Sequence, residues 1–287
     1  MKINEITPDK HEFLQITSCI ANPPKRLCYI GRLPETRAPT LAVVGTRKPT
    51  AYGKAVTTQL VAALAKRGVV IVSGLALGVD ALAHQATLDA GGTTIAVLPG
   101  PVSHIQPAAN RGLAESIIRA GGAIMSERSD EDNYIVGPWS FLERNRIVAG
   151  IADAILITEA NARSGTLNTA MHALDQGKEV FVVPGNITSP QSSGCNALIR
   201  QGATPVTCAD DIVAVLLPAQ QNVQSQLALG ANNTEVAILE QLRAGISDGE
   251  EIQRNTGIDA RELSTALTML EITGTVRSLG ANQWSLS

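Results

Sequence analysis

Residues 154–158 read AILIT, and residues 159–170, EANARSGTLNTA, follow directly. A short uninterrupted apolar run is typical of a strand that is buried on both faces of a sheet. The Ser, Gly and Thr residues that follow indicate a turn, and a helical segment comes after it. Because such a turn presents backbone N–H groups at a helix N-terminus, this stretch predicts one strand–turn–helix unit that binds phosphate.

Five further apolar runs repeat the pattern along the chain. Segments with a helical period separate them; in residues 51–68, for example, Val56, Leu60 and Leu64 fall on one helix face. Strands that alternate with helices predict an α/β fold with a doubly wound parallel sheet, which binds ligands at the carboxyl ends of its strands. The five runs are LAVVG (41–45), VVIVSG (69–74), TIAVLPG (94–100), AIMSE (123–127) and VFVVPG (180–185).

The composition excludes several classes of protein. The 287 residues are 44% hydrophobic and 17% charged, which predicts a soluble chain with one large core and a small second domain. The sequence shows no secretion signal, no apolar run of the ~18 residues that a membrane span needs, and no cysteine pair spaced for metal. We therefore expect a cytoplasmic protein without membrane insertion. Its net charge of -3 means that any site for a polyanion must be local.

The turns at the predicted carboxyl edge share glycine, hydroxyl and basic residues. Glycine lets a ligand approach the backbone closely, so we predict that these turns form a phosphate-binding surface. Neither G-x-G-x-x-G nor G-x-x-x-x-G-K-[ST] is present, and we expect no cofactor and no metal. The predicted binding residues are Gly45, Thr46, Arg47, Lys48, Tyr52 and Gly53 in the first turn, Ser73, Gly74 and Gly78 in the second, and Ser164, Gly165 and Thr166 after AILIT.

Residues 141–150, FLERNRIVAG, add a polar cluster that we place at the start of a helix. Guanidinium groups bind phosphate through two hydrogen bonds, and aromatic rings such as Phe141 stack on bases. Alternatively, the charged residues of this segment form a salt-bridge cluster with Glu143 on the surface and do not bind phosphate. The predicted binding residues of this segment are Phe141, Arg144, Asn145 and Arg146.

Five blocks of the sequence resemble, in order and spacing, those of the DprA/Smf family of DNA-processing proteins. The resemblance covers about residues 10–215 and implies a Rossmann-like domain that binds single-stranded DNA. It also implies a homodimer that protects incoming or exposed strands and helps to load a RecA-type recombinase, as in natural transformation. A single-strand-binding protein is a further candidate partner. The blocks are VVGTRKPTAYG (43–53), VSGLALGVDALAHQATL (72–88), TIAVLPG (94–100), FLERNRIVAGIADAILITEANARSGTLNTAMHAL (141–174) and VFVVPGNITSPQSSGCNALIRQGA (180–203).

The resemblance also implies roles for particular residues. Arg47 corresponds to the arginine of the family's G-[ST]-R turn, which lines a positive pocket, and Phe141 corresponds to a base-contacting phenylalanine. The family pattern G-x-G-x-D-x-x-Y-P is not kept in residues 99–107, whereas Asn110 fits the block that follows. We expect Asn110 and Arg111 to face a DNA backbone.

The sequence predicts four segments. Residues 1–40 form a short extension that packs on the core, 41–215 the DNA-binding domain, 216–232 a polar linker, and 233–287 a winged-helix domain. Acidic residues outnumber basic ones in 233–287 by eight to four, so we favour a protein-contact or regulatory role for this domain over duplex binding. We expect Ser247 and Asp259 to cap two of its helices.

Two other function classes stay open. Phosphoribohydrolases that cleave nucleoside monophosphates carry P-G-G-x-G-T-x-x-E, which RSGTLNTA distantly resembles, but Asn168 and Thr169 stand where their carboxylate is needed. We therefore expect no enzyme activity. A ligand-sensing transcription regulator would combine a nucleotide domain with a basic winged helix, and this winged helix is acidic.

Overall fold

The computed structural model describes residues 2–132, 134–217, 233–273, 275–280 and 282–286. The chain divides into two compact units, Met1–Leu217 and Pro218–Ser287. The expected linker, 216–232, lies outside the described residues except for its first two, and Leu216 is the last residue of a helix.

One mixed sheet organises the first unit. In its described part, nine strands lie in the order β1-β2-β6-β5-β4-β3-β7-β8-β9, and all neighbours from β6 to β9 pair in parallel. The Rossmann-like fold class is thereby confirmed. The strands are β1 (Asn4–Ile6), β2 (Leu27–Gly31), β3 (Thr40–Val44), β4 (Val70–Ser73), β5 (Thr94–Val97), β6 (Ala123–Ser126), β7 (Ala154–Ile157), β8 (Glu179–Val182) and β9 (Thr204–Pro205).

Helices cover both faces of this sheet. β3, β4 and β7 are fully buried along their length, which explains why each reads as a continuous apolar run. Short 3-10 turns supplement the helices at Pro8–Lys10, Gln15–Cys19, Ala108–Asn110, Asp130–Asp132 and Pro190–Ser192. The helices are α1 (Ala51–Lys66), α2 (Val79–Asp89), α3 (Arg111–Arg119), α4 (Pro138–Ile151), α5 (Thr166–Asp175), α6 (Ser193–Arg200) and α7 (Ala209–Leu216).

The N-terminal residues contribute more to the sheet than the sequence predicts. β1 pairs with β2, and β2 pairs with β6, both antiparallel, so two strands from the N-terminal segment extend the sheet at one edge. Phe13 and Leu14 are fully buried beneath it. Antiparallel neighbours need no helical crossover, and these short strands therefore lack the strand–helix alternation that reveals the others.

His84, on α2, is buried completely and is held as a neutral ring. The Thr94 hydroxyl donates to the Ile71 carbonyl at 2.8 Å and therefore accepts from His84 Nδ1 at 2.7 Å. His84 Nε2 is buried without a partner. Burial, together with the charge of Arg144, lowers the pKa of His84 from 6.5 to about 3.

This histidine makes the stability of the protein sensitive to mild acid. Below pH 6.5 this histidine takes up a proton in the unfolded chain, whereas in the native protein it stays neutral. The free energy of unfolding therefore decreases as the pH is lowered from 6.5 to about 3. Between pH 6.5 and 5.0 we expect a loss of roughly 1.5 kcal/mol from this group. Urea unfolding at several pH values measures it. His84→Gln should weaken the dependence of the unfolding free energy on pH, whereas His104→Gln, a control at an exposed site, should leave it unchanged. If the unfolding free energy depends equally on pH in the native sequence and in both variants, this account is wrong.

The second unit is a winged helix. It contains α8 (Asn233–Arg243), α9 (Gly249–Thr256) and α10 (Ala260–Ile272), followed by the antiparallel pair β10 (Val276–Gly280) and β11 (Gln283–Leu286). The stripe of Leu263, Leu267 and Leu270 is buried, and Trp284 packs against this core, as the sequence predicts.

Of the two helix-capping residues predicted for this unit, one is confirmed and the other is not. Asp259 does cap α10, since its side chain accepts a hydrogen bond from the Arg261 amide. The prediction for Ser247 is wrong: Asp248 caps α9, and the Ser247 hydroxyl donates to Gln283 instead. Across the described ranges, no helix has the length and apolar character needed to cross a membrane.

Candidate functional site

A cleft of about 530 Å³ opens at the carboxyl ends of β3, β4 and β7. α4 forms one wall, and the turn before α5 forms another. Residues from five separate stretches of sequence meet here, as expected for the carboxyl edge of a parallel sheet. The sequence-predicted residues that line the cleft are Gly45, Thr46, Arg47, Lys48, Phe141, Arg144, Asn145, Ser164, Gly165 and Thr166.

Arg47 lies at the exposed side of the cleft and rests on an aromatic ring. Its guanidinium carbon is 5.3 Å from the centre of the Phe141 ring, a cation–π distance. Within the described residues, neither Arg47 nor its exposed neighbour Lys48 forms an ion pair. The arginine is thus positioned by Phe141 while its hydrogen-bond donors stay available to an anion.

Arg144 lies at the base of the cleft and is only 7% exposed. Its Nη1 donates to the Gly74 carbonyl at 2.7 Å and to the Val97 carbonyl, so it bridges the ends of β4 and β5. Burial lowers its pKa to about 10, the Arg47 charge adds to that effect, and the Asp80 carboxylate opposes it. Arg144 therefore remains a cation at neutral pH.

Asp80 is the buried carboxylate beside Arg144. Burial raises its pKa, whereas Arg144 and the amides of Ala76 and Gly74 lower it. Its Oδ2 accepts from the Gly74 amide at 3.0 Å, and the side chain also lines the cleft. Because Asp80 balances Arg144, the charge that faces outward from the cleft is that of Arg47 and Lys48.

The turn before α5 offers hydrogen-bond donors to the same cleft. The Ser164 hydroxyl donates to Thr166 Oγ1 at 2.8 Å and accepts from the Thr166 amide at 3.2 Å. The Gly165 amide makes no hydrogen bond to any described residue, and open space surrounds the position of a Cβ at Gly165. An anion can approach this amide and the positive end of the helix.

The N-terminus of α1, in contrast, is closed by the protein itself. Glu159 is 2% exposed, and its carboxylate accepts from the Thr50 amide and from the Thr50 hydroxyl, each at 2.8 Å. A Cβ at Gly53 would overlap this carboxylate. Gly53 is therefore needed for close packing, and the Glu159 carboxylate lies at the end of the helix where a phosphate is expected from the sequence. Tyr52 lies outside the cleft and donates to the Pro184 carbonyl.

Arg146 is also directed away from the cleft. The polar cluster is not at the start of a helix, because α4 begins at Pro138 and Arg144 lies in its interior. Residues two positions apart on a helix face different sides. Arg146 pairs with Glu127 at 2.6 Å, while Glu143, the expected alternative partner, pairs with Arg128 at 3.0 Å.

The remaining predicted residues support the cleft or lie beside it. Ser73 is buried and donates to the Val43 carbonyl at 2.6 Å, and Gly74 supplies the carbonyl that holds Arg144. Gly78 has a φ of +83°, and a Cβ there would meet the backbone of Thr46 and Arg47, so only glycine fits.

A second, adjoining cleft of about 560 Å³ contains Asn110 and shares Arg47 with the first. Asn110 Nδ2 donates to the Leu75 carbonyl at 2.8 Å, which fixes the side chain at the base of this cleft. Lys54 also lines it, and Arg111 is exposed nearby in sequence at the start of α3. Arg47 thus stands where two polar clefts meet.

Sequence reasoning missed Asp80, Glu159, Asn161, Gln191 and Lys54. Asp80 and Glu159 follow buried strands at the carboxyl edge where binding residues are expected, and this position in the sequence could have indicated them. Gln191 reaches the cleft from a distant loop, where its Oε1 lies 3.4 Å from the Thr46 hydroxyl, and no local pattern marks it. In the described ranges, no group of His, Cys, Asp and Glu side chains is arranged to hold a metal ion.

The fold and the cleft define a Rossmann-like α/β protein that has a cationic cleft at the carboxyl edge of its sheet and that also carries a winged helix. Residues 4–217 match the family model of DNA recombination-mediator protein A, and residues 223–282 match the DprA winged helix domain. The chain therefore belongs to the DNA recombination-mediator protein A family.

Individual relatives agree with this assignment. The DNA processing protein DprA of Bacillus subtilis is 41% identical over 64% of this chain, and the match spans 60% of that relative's length. The X-ray structure of DprA from Streptococcus pneumoniae has a TM-score of 0.69 at 34% identity and covers 75% of each chain. DNA processing protein A from Helicobacter pylori, whose structure concerns its single-stranded DNA binding mode, has a TM-score of 0.66 at 31% identity and covers 76% of this chain and 97% of its own.

Proposed function

We propose that this protein binds single-stranded DNA in the cleft, protects the strand and helps to load a RecA-type recombinase onto it. The observation that carries the proposal is Arg47, an exposed cation held on Phe141 and without an ion pair in the described chain. The single-stranded DNA binding named for the Helicobacter pylori relative supports the choice of ligand.

The geometry suits an unpaired strand better than a duplex. Arg47, Lys48 and the Gly165 amide can contact successive phosphates, and the Phe141 ring can stack on a base that is not paired. In a duplex the bases are already stacked on each other, so the aromatic ring has no free face to bind. The cleft therefore combines the two contacts that nonspecific single-strand binding requires.

The protein acts by binding, without breaking a bond. Asp80, the acidic side chain among the described residues that line the cleft, accepts hydrogen bonds from the backbone amides of Gly74 and Ala76, so it is not available as a general base. Asn168 and Thr169 stand on α5 where a glycoside-cleaving site needs a carboxylate. We propose that the active form is a cytoplasmic homodimer and that the acidic winged helix contacts proteins, including the recombinase or a single-strand-binding protein.

A mobility-shift comparison tests the proposal. We expect the protein to retain a short single-stranded oligonucleotide at concentrations where a duplex of equal length migrates freely. Nucleoside monophosphates, incubated in parallel, should yield no free base. Stronger duplex binding favours a transcription regulator, and release of base favours a phosphoribohydrolase; either result contradicts the proposal.

Removal of the winged helix should leave strand binding nearly intact. All residues that line the cleft lie before Leu217, within the first compact unit. A chain that ends at Leu217 should stay folded and lose less than about tenfold in affinity, or ~1.4 kcal/mol. Thermal unfolding and fluorescence anisotropy measure both properties. A larger loss from a well-folded shortened chain assigns part of the binding site to the second unit.

A further inference from the structure

Next to the cationic cleft lies a pocket of opposite character, which we call the Glu159 pocket. It has a volume of about 370 Å³, within the range of about 300–1,000 Å³ usual for small-ligand sites. Thr50, Tyr52, Glu159, Gly185, Asn186 and Ser192 contribute to its lining. No Lys or Arg is among the described residues that line it.

Two buried polar side chains form the base of this pocket. The carboxylate of Glu159 accepts two hydrogen bonds from Thr50, which leaves about two of its four acceptor positions unfilled. Ser192 is 4% exposed, and its hydroxyl forms no hydrogen bond within the described chain. The hydroxyl oxygen of Ser192 is therefore free to form a hydrogen bond with a molecule in the pocket. The pocket thus presents unused acceptors beside an unused hydroxyl.

The rest of the pocket supports this arrangement. A Cβ at Gly185 would overlap the Ser192 hydroxyl, so glycine is needed there. Asn196 fixes the Gly185 backbone, because its side chain accepts from the Gly185 amide at 3.2 Å and donates to the Gly185 carbonyl at 3.1 Å. The Tyr52 hydroxyl donates to Pro184 at 2.9 Å, which holds the half-exposed ring over the pocket.

A buried carboxylate without a nearby cation repels phosphate and attracts N–H donors. Guanine offers two adjacent N–H donors, N1 and N2, to a carboxylate, and a neighbouring O6 acceptor to a hydroxyl. We infer that the Glu159 pocket binds a guanine base of the bound strand, with Glu159 accepting from the base, Ser192 donating to it and Tyr52 stacking on it. This inference rests on the proposed single-strand binding.

The two sites are close enough to be occupied by one strand. Gln191 lines the cationic cleft and Ser192 lines the Glu159 pocket, while Thr46 and Thr50 contribute to the cleft and the pocket from the same turn. The Thr46 amide donates to the Glu159 carbonyl at 2.7 Å, which joins the two walls. A strand whose phosphates lie against Arg47 can therefore place a neighbouring base in the Glu159 pocket.

Fluorescence anisotropy with the full chain tests this inference. The probes are a 12-nucleotide oligothymidine, the same strand with one central guanine, and the same strand with inosine, which lacks the N2 amino group. We expect the guanine strand to bind at least about fivefold more tightly than oligothymidine, with inosine between them. Ser192→Ala and Tyr52→Ala should each reduce this preference, and Ser192→Ala should leave the affinity for oligothymidine unchanged.

The variants are chosen to preserve the fold. Ser192→Ala removes a hydroxyl that has no protein partner, and Tyr52→Phe is the control that keeps the ring and should keep the preference. Glu159 is left intact because it holds Thr50, the N-cap residue of α1. Equal binding of the three strands, or a preference that survives both alanine substitutions, overturns the inference while single-strand binding stands. Failure to bind any of the strands overturns the proposed function instead.

Discussion

Arg47→Ala is expected to weaken single-stranded DNA binding by roughly 1.5 to 3 kcal/mol, the range for a hydrogen bond to a charged group. The residue is exposed, lies over Phe141 and lines both clefts. Loss of one phosphate contact should also lower the slope of affinity against salt concentration by about 0.7. Binding isotherms at several salt concentrations measure both effects.

The stability of this variant should hardly change. The substitution removes a cation–π contact worth about 0.5–1 kcal/mol but also relieves repulsion of Arg144. Arg119→Ala is the matched control, because this exposed arginine ends α3 at the opposite edge of the sheet. It should alter neither affinity nor salt slope. If Arg47→Ala unfolds easily while its folded fraction binds DNA normally, Arg47 is a structural residue.

Arg144→Ala should destabilise the first unit by about 3–5 kcal/mol, because two backbone carbonyls lose their charged donor and the nearby buried carboxylate of Asp80 loses the cation that offsets its charge. Asp80 would stay buried without its cation, and the carbonyls of Gly74 and Val97 would lose their donor. Urea unfolding measures the loss. When the affinity for DNA is measured on the folded fraction, Arg144→Ala should lower it less than Arg47→Ala does, because Asp80 already offsets the Arg144 charge.

A double variant separates the two parts of this effect. Asp80→Asn combined with Arg144→Met removes both charges and keeps most of the buried volume, so it should recover part of the lost stability. Arg146→Ala, on the same helix, controls for general damage to α4 and should cost less. Equal destabilisation by Arg144→Ala and by the double variant would show that packing, and not the unpaired carboxylate, dominates.

The central parallel strands could be read from the sequence because burial on both faces leaves continuous apolar runs. β7 shows this directly, since all of its residues are buried. β1 and β2 could not be found in that way: they pair antiparallel at an edge, and residues of β2 from Tyr29 onward are only partly buried. Their place in the sheet depends on contacts with β6 that no local pattern encodes.

Some residues that line the cleft could be predicted from the sequence, because the direction of their side chains follows from their position at the end of a strand. Arg47 and the Ser164–Thr166 turn are in that group. Arg146 was assigned wrongly because the direction of a helical side chain depends on where the helix begins, and α4 begins at Pro138. The role of Glu159 could not be predicted, since its hydrogen bonds to Thr50, the N-cap residue of α1, are tertiary contacts between distant parts of the chain.

The closure of α1 by Glu159 has a consequence for competition inside a cell. A free helix N-terminus with a glycine turn would form a compact cradle for the terminal phosphate of any nucleotide. At α1 a fixed carboxylate lies at that position, and the anion contacts that remain, which include the Gly165 amide before α5, are spread along a cleft. A mononucleotide can satisfy only one or two of them at a time, whereas a polymer engages many and gains from each. If the proposed function holds, the abundant nucleotide pool should therefore compete poorly with exposed single strands.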